Sequence, residues 1–227
     1  MKPNCPKPRS GNTAGPKAYY PVSLNLRAKK ALVVGGGKVA ERKILGLLKA
    51  GADITVVSPT ITKRIEKEKL EGRLKHIKRQ YRNGDLDKVF LVIAATDSLV
   101  ANEKISKDAP CLVNVVDTPD LCNFIVPSTV NRGPLTIAIS TSGVSPALSR
   151  SIRKELEKEF GLEFAQYLQM LRKIRARAME DIRDKGKRGR CLKSLASEKL
   201  LGILRAKGVH EALRVAEDLF KKAKTCS

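Results

Sequence analysis

The feature that most constrains the fold of this chain is a glycine-rich turn in the stretch VVGGGKVAERK. Gly35, Gly37 and Ala40 are spaced as G-x-G-x-x-A, directly after a β-type run and at the start of a helical pattern. In dinucleotide-binding folds the first glycine allows the tight turn and the second lets the backbone approach a pyrophosphate. The small third residue lets the helix pack on the strand. The alternative is a glycine turn that serves packing alone.

Apolar β-type runs alternate with helical periodicity from residue 19 to about residue 116. The runs KALVVGG, DITVVSP, KVFLVIAATD and CLVNVVD are apolar on both faces, which is typical of strands in a parallel sheet covered by helices. The run LKHIKRQY alternates only weakly, so we predict that it forms an outer strand. The pattern predicts an α/β fold with a Rossmann-like, doubly wound parallel sheet.

The pattern changes after about residue 118. Two strand-like runs, NFIVPSTV and LTIAISTS, are joined by NRGP, which predicts a β-hairpin. Ser145 is then predicted to cap a helix that has Pro146 at its first position and ends at Gly161. Helical periodicity continues to the end, broken by the basic stretch RDKGKRGRC. The predicted parts are a disordered leader without a secretory signal (1–18), a Rossmann domain (19–118), a hairpin segment (119–145) and a helical C-terminal domain (146–227).

The composition narrows the class of protein and of partner. The net charge of +22 favours a polyanionic partner, which leaves nucleic acid, a membrane surface and an acidic small molecule open; a bland alternative is solubility. Only 4% of residues are aromatic, which disfavours the stacking surfaces of single-strand binders, and no apolar run is long enough to span a membrane. The five scattered cysteines lack a C-x-x-C pair and predict a cytoplasmic protein without a disulfide framework or a stable metal site.

The ends of two predicted strands bear on the choice of cofactor. Gly35, Gly36 and Gly37 are expected to hold the phosphates of NAD, but the second strand ends at Ser58 without the usual carboxylate for the ribose. Ser58 or Thr60 is predicted to replace it. NAD is favoured over NADP because no arginine stands at this strand end. The stretch AATD, ending at Asp97, is expected beside the cofactor, since its small residues leave room; ordinary packing is the alternative.

Asp117 ends the last apolar run of the sheet and is the candidate general base. His76 lies in the weak outer strand and His210 in the distal tail, so neither histidine is expected near the ligand-binding edge. A carboxylate is then left for the role of base. Cys122 and Asn123 follow closely: Cys122 is predicted to be a packing residue, and Asn123 either orients a substrate carboxylate or caps the turn.

Six stretches taken together resemble the precorrin-2 dehydrogenase family, whose members are free-standing or form the N-terminal part of siroheme synthases. The resemblance covers about residues 19 to 160, and the stretches are YYPVSLNL, VVGGGKVAERK, GADITVVSP, VIAATD, NVVDTPDLCNFIVPS and LTIAISTSGVSPALSRSIR.

The resemblance implies NAD-dependent oxidation of precorrin-2 to sirohydrochlorin, and in some members insertion of ferrous iron to give siroheme. It also implies a homodimer with interlocked subunits, which assigns the hairpin segment to dimerisation. The catalytic aspartate of the family motif NVVD falls on Asp117. The family's nucleotide contacts fall on Lys38 and Val39 after the glycines, and on Pro59 and Thr60 after the second strand.

A serine that some siroheme synthases carry in the stretch SSGG corresponds to Thr141, preceded by Ser140, so the identity of that hydroxyl is not kept. Ser140, Thr141 and Asn123 are the predicted substrate-binding residues. A basic protein suits precorrin-2, which carries a ring of acetate and propionate carboxylates.

Two rival functions remain open at this point. The first is a nucleotide-sensing module without catalysis, whose basic helical tail binds nucleic acid or a protein; a solvated loop at RDKGKRGRC is the preferred alternative. The second is another nicotinamide-dependent dehydrogenase with a different acidic substrate. The dense apolar side chains between Leu162 and Ile174 predict either intrachain packing or a dimer contact.

Overall fold

A five-stranded parallel sheet forms the centre of the first half of the chain. The computed structural model describes residues 18–225, so the predicted leader lies outside the described residues apart from Ala18. The strands of the sheet are β1 (Lys30–Val34), β2 (Asp53–Val57), β3 (Lys75–Ile77), β4 (Leu91–Ala94) and β5 (Leu112–Val115). Their order is β3-β2-β1-β4-β5 and every pairing is parallel. The predicted doubly wound sheet, with LKHIKRQY at its outer edge, is confirmed.

Three helices connect the strands: α1 (Lys38–Lys49), α2 (Lys63–Leu70) and α3 (Leu99–Asp108). Both faces of the sheet are buried, which is why the strands are apolar on both sides. One face packs on α1 and the other on α3, through buried side chains such as Ile44 and Ile105. This layering brings the amino ends of the helices and the carboxyl ends of the strands to one edge of the sheet.

The chain divides into two compact units between Val126 and Pro127. The expected boundary after residue 118 therefore lies earlier than the observed division. The segment between the two positions stays with the first unit because Cys122 is buried in one of its apolar clusters and Phe124 packs against the other. This segment includes a short 3₁₀ turn, Pro119–Leu121.

The second unit contains the antiparallel hairpin and four helices. The hairpin is formed by β6 (Ser128–Arg132) and β7 (Leu135–Ile139), and the helices are α4 (Pro146–Glu159), α5 (Glu163–Asp181), α6 (Lys185–Ser194) and α7 (Glu198–Thr225). Gly133, with φ 59°, takes the first position of the two-residue turn, where β-hairpins favour a positive φ. Ser145 caps α4 as predicted, by accepting a hydrogen bond of 3.2 Å from the Leu148 N–H.

The basic stretch RDKGKRGRC differs from the prediction, because most of it is helix α6 rather than a loop. Asp184 starts this helix by accepting a hydrogen bond of 2.6 Å from the Lys187 N–H, and the buried Cys191 anchors it. The break in the helical pattern is confined to the three residues that follow Asp181. A second break occurs inside α7 at Gly208, whose φ is 81°.

Most of the apolar residues between Leu162 and Ile174 belong to the core of the second unit. Phe164, Tyr167 and Ile174 are buried within it, whereas Leu162 is 76% exposed. Intrachain packing therefore accounts for the three buried side chains. Within residues 18–225 no helix combines the length and apolar character that crossing a membrane requires.

Candidate functional site

The glycine turn between β1 and α1 can be built only with glycine at its first two positions. Gly35 has φ 115°, and a Cβ atom there would lie 2.1 Å from the Ala95 carbonyl oxygen. A Cβ atom on Gly36 would lie 1.9 Å from the Thr60 carbonyl oxygen. The turn is thus wedged between the loops that follow β4 and β2, which brings three strand ends together.

Gly37 differs from its two neighbours because a Cβ atom there would meet no described atom within 4 Å. It is the N-cap of α1, and within the described chain no side chain caps this helix end. Ala40 is fully buried, so the helix approaches the sheet closely. Open space in front of uncapped amides and a positive helix dipole is the arrangement that binds a pyrophosphate.

A cavity of about 690 Å³ lies above this turn. That volume is in the range of cofactor sites. The predicted residues that line it are Gly35, Gly36, Gly37, Ser58, Pro59, Thr60 and Asp97. Thr96, from the stretch AATD that was expected beside the cofactor, also lines it. The sequence did not single out several other lining residues: Ile61, Thr62, Ser98, Gln80, Tyr81, Ala101 and Lys104.

Lys38 and Val39 do not line the cavity, although the resemblance assigned nucleotide contacts to both. They lie in the first turn of α1, where the Lys38 side chain is 85% exposed and approaches Glu41 at 3.7 Å. Only their backbone amides, at the helix end, are placed to face an anion. Any contact of these two residues with a nucleotide would therefore involve their backbone groups and not their side chains.

The loop after β2 is held by polar contacts of its own. The buried Ser58 hydroxyl donates a hydrogen bond of 2.7 Å to the Thr60 carbonyl, and His76 Nε2 lies 2.9 Å from the Ser58 carbonyl oxygen. The Ser58 hydroxyl therefore donates its hydrogen within the loop, and its oxygen can still accept a hydrogen bond. Thr60, in contrast, is exposed to the cavity. His76 was not expected near the ligand-binding edge, but it supports this cavity-lining loop from β3.

The loop after β4 is fixed by a pair of reciprocal hydrogen bonds. The Thr96 hydroxyl donates to Asn102 Oδ1 at 2.7 Å, and Asn102 Nδ2 donates to the Thr96 carbonyl at 3.0 Å. Ser98 caps α3 by accepting from the Ala101 N–H at 3.3 Å. These contacts present Asp97 at the rim of the cavity.

Tyr81 lines the same cavity from the segment after β3. Burial, followed by the neighbouring carboxylates Asp108 and Asp85, raises its pKa to about 12. The phenol is therefore neutral across the physiological pH range.

Asp117 follows β5 and stands exposed at the same carboxyl edge of the sheet, in a turn with unusual backbone geometry. Its φ is 59°, in the left-handed region that few residues other than glycine enter, although aspartate is among the more tolerant. Val116 still pairs with β4, by donating its N–H to the Ala94 carbonyl at 2.9 Å. Backbone pairing with β4 therefore continues to the residue before the carboxylate.

Cys122 holds this turn from beneath. Its sulfur accepts a hydrogen bond of 3.1 Å from the Val115 N–H. The thiol also lies 3.2 Å from the Val115 carbonyl and 3.4 Å from the Thr118 carbonyl, as donor. Cys122 is buried, so these contacts are shielded from water. The prediction of a packing residue understated its part: the thiol fixes backbone on both sides of Asp117.

Asn123 uses both ends of its side-chain amide on the backbone. Its Oδ1 accepts a hydrogen bond of 2.7 Å from the Val113 N–H, and its Nδ2 donates one of 2.9 Å to the Cys111 carbonyl. These contacts favour the turn-capping alternative over the substrate-binding one. A neighbouring amide, Asn114, donates to the Phe124 carbonyl at 3.1 Å and ties the same segment to β5.

A charged residue that the sequence did not single out lies near this turn. The half-buried Lys43 of α1 interacts electrostatically with Asp117 and Cys122. Burial, and then the adjacent Arg42, lowers the pKa of Lys43, while Cys122 and Asp117 act in the opposite direction. Tyr19 is also close to Cys122: burial, Cys122 and Asp120 raise its pKa.

Ser140 and Thr141 lie in the second unit, in the turn between β7 and α4. The Thr141 hydroxyl accepts a hydrogen bond of 3.1 Å from the Ser145 N–H and lies 3.2 Å from the Ser149 hydroxyl. The Ser140 hydroxyl accepts from the Ser142 N–H at 3.1 Å. Both hydroxyls shape the start of α4, and their predicted contact with substrate stays a prediction.

The chain was compared with known families and solved structures. Residues 22–128 match a family described as putative NAD(P)-binding, and residues 132–159 match the sirohaem biosynthesis protein central family. Among solved structures, SirC, a precorrin-2 dehydrogenase, superposes with a TM-score of 0.75 at 30% identity, over 88% of this chain and 100% of that one. The chain belongs to the precorrin-2 dehydrogenase family. The resemblance drawn from the six motifs is confirmed.

Siroheme synthases are also similar to this chain. This chain is 46% identical to the siroheme synthase of Methylobacillus flagellatus over 140 residues. The aligned region covers 60% of this chain and 30% of that protein. This chain is also 39% identical to siroheme synthase 2 of Yersinia pestis over 175 residues. That aligned region covers 76% of this chain and 37% of that protein. The chain thus spans about a third of the length of these curated relatives.

Proposed function

We propose that this protein oxidises precorrin-2 to sirohydrochlorin with NAD, as a step of siroheme biosynthesis. The observation that carries the proposal is the match to SirC, a precorrin-2 dehydrogenase, along the whole of that chain. The geometry supports it, because the glycine cradle and the carboxylate of Asp117 follow strands of one parallel sheet and stand at the same edge. Ligands of such sheets bind at this edge.

The residues present fit NAD. The open space before Gly37 and the uncapped amides of α1 suit its pyrophosphate. Thr60 is the proposed partner of a ribose hydroxyl, because it is exposed and lines the cavity. Among the described residues that line the cavity, no arginine lies at the end of β2 to receive a 2′-phosphate. Lys104, the cation in the lining, comes from α3 instead. This arrangement favours NAD over NADP.

Oxidation of precorrin-2 to sirohydrochlorin releases one hydride and one proton. NAD, when bound, supplies the nicotinamide that accepts the hydride. A base must accept the proton, and Asp117 is an exposed carboxylate at the carboxyl edge of the sheet. The fixed turn around it limits the positions from which the carboxylate can act. In this proposal Asp117 takes the proton and Cys122 holds its backbone.

The proposal also covers the oligomeric state of the protein, a second substrate and the cellular compartment. We assign a homodimer, supported by the apolar Val144 and Leu148, which are 81% and 52% exposed at the start of α4. Ferrous iron is proposed as a second substrate. Residues 18–225 bring together no group of three or more His, Cys, Asp or Glu side chains that could hold a metal ion. The free thiols of Cys111 and Cys191 support a reducing, cytoplasmic setting.

The proposal is tested by adding precorrin-2 and NAD to the purified protein and recording the absorbance spectrum of sirohydrochlorin. We expect Asp117→Asn to lower kcat about 10²- to 10⁴-fold, the usual contribution of a general base, with NAD binding unchanged. Asp53→Asn is the matched control, because Asp53 is exposed at the amino end of β2, on the opposite edge of the sheet. Full activity in Asp117→Asn would contradict the assignment of the base.

Parallel measurements separate the remaining assignments. Light scattering that shows a monomer at micromolar concentration would contradict the dimer. Repeating the assay with ferrous iron separates insertion from dehydrogenation, since siroheme and sirohydrochlorin differ in their spectra. If the wild-type protein yields no sirohydrochlorin and instead binds nucleic acid tightly with a steep salt dependence, the sensing module replaces the enzyme.

A further inference from the structure

Lys43 occupies a position on α1 that an apolar residue would be expected to fill. The buried stripe of this helix consists of Ala40, Ile44 and Leu47, and Lys43 lies three residues after Ala40, at the edge of the stripe. Residues with this spacing share one face of a helix. Lys43 is accordingly half-buried, whereas Lys49, in the last turn of the same helix, is exposed.

Helix α1 and the segment that carries Asp117 share one apolar cluster. Val116 and Phe124, on either side of the Asp117 turn, pack against the same apolar cluster as Ile44. The electrostatic interaction of Lys43 with both Asp117 and Cys122 agrees with this placement. A cation of α1 and the carboxylate after β5 are therefore close enough to interact electrostatically.

The charge of Lys43 is incompletely compensated in the protein alone. Among the described residues no carboxylate lies within the 4 Å of an ion pair to its Nζ, and Asp117 acts on it from farther away. Burial is the first cause that lowers the pKa of Lys43, which shows that the surroundings disfavour the charged form. A half-desolvated ammonium group of this kind gains from an incoming carboxylate.

We propose that Lys43 binds a carboxylate of the tetrapyrrole substrate beside Asp117 and so orients the ring for removal of its proton. The inference rests on the proposed function, because it takes the acetate and propionate groups of precorrin-2 as the ligands. Lys43 is a substrate-binding residue in this account, and Asp117 remains the base. A merely structural Lys43 would serve the helix stripe no better than methionine, which fits the same space without a charge.

The test compares Lys43→Met and Lys43→Arg with Lys49→Met, which makes the same change at an exposed position of the same helix. Three quantities are measured: KM for precorrin-2, the affinity for sirohydrochlorin from its absorbance change without turnover, and the affinity for NAD. We expect Lys43→Met to raise KM and to weaken sirohydrochlorin binding about tenfold or more, as for loss of a hydrogen bond to a charged group. NAD affinity stays unchanged, and Lys43→Arg recovers part of the loss because it keeps the charge.

Two results would overturn the inference. One is wild-type KM and sirohydrochlorin affinity in Lys43→Met. The other is a fall in kcat with both quantities unchanged, which would show that Lys43 acts on Asp117 and not on a substrate carboxylate. These failures differ from failure of the proposed function, in which the wild-type protein itself yields no sirohydrochlorin and does not bind it.

Discussion

Replacing Gly37 by alanine tests the nucleotide cradle without disturbing the fold. The other two glycines of the turn cannot serve this purpose, since a Cβ atom on Gly35 or Gly36 would run into backbone at 2.1 Å or 1.9 Å. A Cβ atom on Gly37 meets nothing within 4 Å, and its φ of −80° is one that alanine adopts freely. Any large effect of this methyl group must therefore come from what binds in front of it.

The expected magnitude follows from the contact that the methyl group displaces. A hydrogen bond from a backbone N–H to a charged phosphate contributes about 1.5–3 kcal/mol. Losing one weakens NAD binding about 10- to 100-fold. At an NAD concentration 100 times the wild-type Kd, binding stabilises the wild-type protein by about 2.7 kcal/mol; the same concentration stabilises the variant by only about 0.4–1.4 kcal/mol. Without NAD the variant loses about 1 kcal/mol or less, since alanine is a poorer N-cap than glycine.

The assay is denaturant unfolding with and without NAD, together with an NAD titration by calorimetry. Gly46→Ala is the matched control, because Gly46 lies in the interior of α1 with open space around it. We expect this control to stabilise the protein by about 0.5–1 kcal/mol and to leave NAD affinity unchanged. The pair thus separates an effect on the helix from an effect on the cofactor.

An unchanged NAD affinity in Gly37→Ala would refute the reasoning, because it would show that the pyrophosphate does not approach this backbone. A loss of several kcal/mol of stability in the absence of NAD would refute it differently, by showing that the space before Gly37 is needed for folding.

Three further predictions concern the turn, the half-buried lysine and an ion pair. Cys122→Ala should lower the free energy of unfolding by about 1–3 kcal/mol in urea, because it removes the thiol contacts around Asp117, and Cys122→Ser should retain more activity than Cys122→Ala. Lys43 has a lowered pKa, so the stability of the wild-type protein relative to Lys43→Met should rise as pH increases towards 10.5; a flat difference would contradict this. The Arg79 guanidinium lowers the pKa of Asp85 below 3.8, so the advantage of the wild-type protein over Asp85→Asn should be complete above that pH and should disappear as pH falls further.

Much of the fold of the first unit could be predicted because its main features depend on residues that are close in sequence. A strand buried on both faces needs a continuous apolar run, and the glycine spacing between β1 and α1 follows from backbone geometry alone. The confirmed start of α4 is also local, since Ser145 caps the helix and Pro146 takes its first turn. Such features depend on neighbours in sequence, which a single sequence displays.

The features that were missed depend on residues distant in sequence. Helix α6 forms across two glycines because Cys191 is buried in a core built by α5 and α7. The thiol of Cys122 acts on the strand end that precedes Asp117, and Lys43 of α1 interacts electrostatically with Asp117. Tertiary contacts override local propensity in each case, so hydrophobic periodicity and motif spacing could not predict these features.

Asp117 and Lys43 each break a local rule at the same edge of the sheet. Asp117 takes a positive φ, and Lys43 interrupts the stripe of a buried helix face. A positive φ alone does not mark a site, since Ala28 and Lys88 adopt it in turns before β1 and β4, at the opposite edge. What distinguishes Asp117 and Lys43 is that glycine and methionine would satisfy the backbone and the stripe better. The chain instead has a carboxylate and an ammonium group there. In the proposed reaction the carboxylate takes the proton and the ammonium group binds an acidic group of the substrate.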